Sequence, residues 1–119
     1  MSSRAKSAPT DKGRPRKLAI LLLSDEKPRD LDHLWRLCAE AKGKNVEIEL
    51  FLMAEGVKYL PDPRLQLAKK HGARVSFCAL NAMERGMNLL DGYPWGFEES
   101  SQYKLACMME ESDVFIALS

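Results

Sequence analysis

At 119 residues and 13.4 kDa, the chain is the size of a single domain. Apolar residues at 45% and charged residues at 29% exclude disordered and fibrous classes, and the aliphatic run over residues 18–23 is far short of the ~20 residues that span a bilayer. The net charge of +1 divides unevenly: Arg4, Lys6, Lys12, Arg14, Arg16 and Lys17 face Asp11 alone in residues 1–17, leaving an acidic body that argues against a DNA-binding domain.

Residues 1–16 read as a flexible basic tail and residues 17–119 as one domain. The tail lacks the apolar stretch of a secretory signal. Residues 17–24 (KLAILLLS) form a continuous aliphatic run, as in a strand covered on both faces. A polar loop with Pro28 follows. Asp30 then caps a predicted helix to about Lys42, with Leu31, Leu34, Trp35 and Cys38 at helical spacing, ended by Gly43. Residues 46–53 (VEIELFLM) start in alternation and finish apolar, predicting a second strand.

A turn or short helix over residues 54–60 is closed by Pro61 and Pro63. Residues 64–71 form a short helix stopped at Gly72, and residues 73–78 (ARVSFC) a third strand. Another helix spans 79–85, before Gly86. Residues 87–99 are irregular and rich in large apolar side chains. Ser100 opens a last helix to about Glu111, and residues 113–118 (DVFIAL) close the sequence pattern as a strand. Strands alternating with helices predict an α/β fold: a three-layer α/β/α domain with an open, mainly parallel sheet of four strands, or five if the irregular segment supplies one.

In such sheets chemistry collects beyond the carboxyl ends of the strands. Cys78 falls there, where a strand gives way to a helix whose amino end favours thiolate, the reactive form. A small buried residue closing a strand is the plainer alternative. Cys38 shares a face with Leu31, Leu34 and Trp35, and Cys107 lies among Leu105, Met108 and Met109, so both read as packing residues. Without a C-x-x-C pair, disulfide frameworks, zinc ribbons and thioredoxin-like sites are excluded. An odd cysteine count without an export signal predicts a reducing, cytoplasmic location.

Spacing tests exclude further classes. A phosphatase or rhodanese loop needs Arg six positions after the cysteine, but Glu84 stands there and Arg85 is one residue too far. His71 precedes the strand that Cys78 ends, so roughly 20 Å separates them at ~3.3 Å per residue. His33 is the better-placed histidine, near the start of the first helix, with a surface role as its alternative. Glu55 and Gly56 follow the second strand. They mark a turn that needs a glycine conformation, with lining of the Cys78 crevice as a second role. Arg85 either adds positive potential near Cys78 or pairs with Glu84 or solvent.

The residues that carry these features resemble the DsrE/DsrF-like family of sulfur-relay and intracellular sulfur-oxidation proteins. The matching segments are KLAILLLS, FLMAEGV, VSFCALNAMERGM and ESDVFIAL, in order, across residues 17–118. The resemblance implies a homotrimer or homohexamer, or a hetero-oligomer with paralogues, and a sulfurtransferase-like persulfide on Cys78. Sulfur would come from a donor protein and pass to an acceptor protein, with no cofactor or metal, no membrane and no specific nucleic acid. Many relatives have a second cysteine where Asn81 stands, so Cys78 would act without a resolving thiol. Leu89, Leu90, Tyr93, Trp95 and Phe97 are the candidate interface residues. The alternatives are a non-catalytic assembly or regulatory subunit of this fold, and a small-molecule-binding module.

Overall fold

The computed structural model describes residues 14–87 and 96–119. Five strands form one sheet: β1 (Arg16–Leu22), β2 (Val46–Leu52), β3 (Arg74–Cys78), β4 (Glu98–Ser100) and β5 (Val114–Leu118). Their order is β4-β3-β2-β1-β5, and every pairing is parallel. Four helices connect them: α1 (Arg29–Ala41), α2 (Pro63–Lys70), α3 (Ala79–Glu84) and α4 (Gln102–Glu111), with a 3-10 helix at Ala54–Tyr59 before α2. The fifth strand lies at the end of the irregular segment.

Right-handed crossovers determine which face each helix covers. The chain steps in one direction from β1 to β4, which puts α1, α2 and α3 on one face. Their Leu31, Leu34, Leu65, Ala68 and Ala82 pack there against Ile20, Leu22, Leu50, Leu52, Val75 and Phe77. The return from β4 to β5 crosses the opposite face, where α4 packs through Met108 and Leu105 on Ala19, Leu21, Phe51 and Cys78. The first face carries most of the buried core; the second is thinly covered. This explains the alternation in β2, whose Ile48 and Leu50 are buried while Glu47 is exposed.

Local chemistry sets the boundaries. Pro28 occupies the position before α1 and no side chain caps it, so Asp30 acts within the first turn and not as the cap. Asp62 caps α2 by accepting from the Arg64 amide at 2.9 Å, with Pro63 in the first turn. The Arg64 guanidinium returns to Asp62 at 2.8 Å and reaches Asp32 of α1 at 3.2 Å, tying the two helices together. At the amino edge, Asp113 and Lys17 exchange two hydrogen bonds. The Lys17 amide donates to Asp113 Oδ2 at 2.8 Å, and the Asp113 amide donates to the Lys17 carbonyl at 2.8 Å.

Candidate functional site at the carboxyl edge

Strands β3 and β4 are neighbours, yet their following helices leave on opposite faces: α3 joins the main core through Ala82, and α4 covers the second face. A crevice at the carboxyl end of a sheet forms where neighbouring connections diverge in this way. Cys78 and Ser100 stand at that point, paired in register across β3 and β4. The Cys78 side chain faces the α4 side, packed with Leu21, Phe51 and Met108. The residue is 3% exposed.

Two helices begin at this point. The six-residue α3 starts directly after Cys78, and the cysteine side chain makes no capping hydrogen bond. A helix this short develops little macrodipole. The ten-residue α4 begins one strand away, after Ser101, with no side-chain cap and no acid in its first turn. Because Cys78 points to the α4 face, α4 and not α3 is the helix packed on its side of the sheet. The sequence pattern points instead to the helix after Cys78, and to Ser100 as a helix start. Ser100 belongs to β4, and Ser101 precedes α4.

Behind the thiol, the turn after β2 is strapped to α3. Ala54 adopts φ 51°, a left-handed conformation unusual for a residue with a Cβ. Its amide donates to Asn81 Oδ1 at 2.8 Å, and Asn81 Nδ2 donates to Glu84 Oε1 at 3.1 Å. Arg85 makes a second strap: its Nε donates to Glu55 Oε1 at 2.8 Å, and its Nη1 to the Asn81 carbonyl at 3.1 Å. Arg85 is thus paired chiefly with Glu55, not left to solvent. The Lys58 ammonium lies 2.6 Å from the other oxygen of Glu55. Lys58 first, then Arg85, holds the Glu55 carboxyl below its ordinary pKa.

Gly56 is required for space rather than conformation. A Cβ there would collide with the Leu22 carbonyl, so the turn lies flat against the end of β1. The positive φ falls two residues earlier, at Ala54. His33 does not join the site. It sits on α1, across the sheet from the face that Cys78 points to, in an open groove of about 470 Å³ lined also by Glu26, Lys27 and Asp30. Phe97, expected at an interface, is 4% exposed and packs in the main core under the Lys69 ammonium, which lies 5.7 Å from its ring centroid. Leu89, Leu90, Tyr93 and Trp95 lie outside the described residues.

Cys38 behaves as a packing residue, whereas Cys107, expected to pack, is half-buried and belongs to neither core cluster. Cys38 is buried in the main core, and desolvation pushes its thiol up to about 11. It borders a cleft of about 300 Å³ at the opposite, amino edge of the sheet, together with Asn45, His71 and Gly72. A thiol so reluctant to ionise supplies no nucleophile at neutral pH, so we place the candidate chemistry at the carboxyl edge. His71 stacks on Trp35 at 6.2 Å, remote from Cys78 as its position in the chain predicts. Among the described residues no cluster of His, Cys, Asp and Glu suited to a metal ion occurs, and no helix is long and apolar enough to cross a membrane.

No protein-family model and no curated protein matches this sequence. Solved structures do. A conserved protein of unknown function from Bacteroides thetaiotaomicron, BT1422, superposes with a TM-score of 0.71 at 16% identity, covering 86% of this chain and 94% of that one. The ychN protein from E. coli gives 0.68 at 17% identity, covering 87% and 99%. MTH1491 from Methanobacterium thermoautotrophicum, also of unknown function, gives 0.66 at 18% identity, again covering 87% and 99%. At such identities the likeness establishes the fold.

Proposed function

We propose that this protein is a sulfur carrier of the DsrE/DsrF-like kind, holding sulfane sulfur as a persulfide on Cys78 and passing it to a partner protein in the cytoplasm. The observation that carries the reading is the position of Cys78 where β3 and β4 diverge, on the face covered by α4, whose amino end has no side-chain cap. That surrounding suits an anion, whether thiolate or persulfide. The Cys78 thiolate attacks the outer sulfur of a donor persulfide. The donor's S–S bond breaks, the donor leaves as a thiolate, and Cys78 becomes a persulfide. An acceptor thiolate then attacks that outer sulfur and Cys78 leaves as thiolate, so no outside oxidant or reductant enters. At 3% exposure, both steps require the partly buried side chains around Cys78 to give way.

Mass spectrometry after incubation with glutathione persulfide tests the reading. The expected result is a gain of one sulfur on Cys78, absent from Cys78→Ser and transferable to an added protein thiol. No gain, or an equal gain in the serine variant, ends it. A second reading, a non-catalytic assembly subunit, is favoured by the same enclosure of the thiol and by exposed Leu80, Met83, Tyr103 and Met109. Partner binding and cellular function that survive Cys78→Ser select it. In either reading, copies of this chain associate as a homotrimer or homohexamer, burying the thinly covered α4 face.

A further inference from the structure

We infer that Asn81 is a positioning residue that controls access to the Cys78 thiol through the strained turn at Ala54. The connection runs through consecutive atoms. The register of β2 and β3 ends at Leu52 opposite Phe77, so the next residues along are Met53 and Cys78. Met53, like Phe51 two residues before it, packs on the face where Cys78 lies. Successive residues of neighbouring parallel strands run about 4.8 Å apart, which makes Met53 the flank of the thiol on one side and Ser100 the flank on the other.

Directly after Met53 the backbone turns into the left-handed conformation at Ala54, which alanine adopts only when its surroundings enforce it. The side-chain contact that enforces it is the hydrogen bond from the Ala54 amide to Asn81 Oδ1 at 2.8 Å, made across 27 residues of sequence, beside the backbone bonds from the Gly56 amide to the Met53 carbonyl at 2.9 Å and from the Met53 amide to the Leu22 carbonyl at 3.1 Å. Asn81 is oriented for this by its own donation to Glu84, and α3 is held to the turn by Arg85 and Glu55. Without the Asn81 bond, Ala54 gains by relaxing to negative φ. That rotation swings the end of β2 and draws Met53 off the thiol. Methionine suits the task, since its unbranched chain repacks at little cost. The side chain that stands three residues after Cys78 therefore serves as a latch on a neighbouring strand.

The inference deepens the sulfur-carrier reading, because it concerns the same thiol, but its readout needs no sulfur. The rate of Cys78 alkylation by iodoacetamide is measured in the native protein at fixed pH, with buried Cys38 as the internal report of global opening. Loss of one net hydrogen bond predicts a rate about fivefold to tenfold higher in Asn81→Ala, with Cys38 unchanged. Asn81→Asp combined with Glu84→Gln, which keeps an acceptor for the Ala54 amide and restores a donor–acceptor pair between positions 81 and 84, stays near the parent rate. Adding Ala54→Gly to Asn81→Ala brings the rate back down, since glycine holds φ 51° without strain. An unchanged Cys78 rate in Asn81→Ala, a parallel rise at Cys38, or no reversal by Ala54→Gly would each overturn the inference. A protein that labels as expected but takes up no sulfur keeps the latch and loses the carrier function; uptake without the labelling pattern does the opposite.

Discussion

Single atoms decide the carboxyl edge. Gly56 has no room for a methyl group, because the turn after β2 lies against the Leu22 carbonyl. Gly56→Ala is therefore expected to destabilise the fold by about 2–3 kcal/mol, through overpacking against backbone that cannot move aside. Urea unfolding of the variant measures this, and a loss below ~0.5 kcal/mol would show that the turn is free to lift. The sequence signalled Gly56, but by the wrong property, since a glycine symbol does not say whether conformation or volume is needed. It gave no sign of the positive φ at Ala54, because alanine is compatible with almost any local pattern. Cys78 was legible as the end of an apolar strand before a helix. Its enclosure was not, because that depends on Phe51 and Met108, which are remote in sequence.

At the level of elements, β1 and β5 were readable from continuous apolar runs, and β2 and β3 from polar–apolar alternation that ends apolar. Strand β4 was not: Glu98, Glu99 and Ser100 present no apolar pattern, and only pairing with Ser76, Phe77 and Cys78 makes them a strand. The irregular segment was allowed a fifth strand without a place for it, so the last helix was started at Ser100 and the divergence of β3 and β4 stayed hidden. With that geometry in hand, the influence of α4 on the thiol becomes testable. Gln102→Glu puts a negative charge in its first turn and should slow Cys78 alkylation at neutral pH roughly two- to fivefold, because the reacting sulfur is anionic. An unchanged rate would mean that α4 does not act on this sulfur.

For the whole molecule, the decisive fact is unequal cover. Among the described residues, three helices shield one face of the sheet and α4 alone packs on the other, beside β5, whose five residues are all partly exposed. An apolar edge strand without charges or proline is a surface that proteins ordinarily pair or cover. Sedimentation velocity is expected to give a mass several times 13.4 kDa, and Phe115→Lys, on the thin face, to return the species to monomer. A parent protein that sediments as a monomer at micromolar concentration would refute self-association.

The placement of β5 beside β1 also has a consequence during synthesis. The first strand lacks its outer neighbour until residues 114–118 have left the ribosome, and the bonds between Asp113 and Lys17 cannot close before then. Helix α4 has no anchor at its far end during that interval, so the sheet face bearing Cys78 is the last to be covered. A nascent chain thus leaves the Cys78 sulfur open until α4 and β5 close over that face.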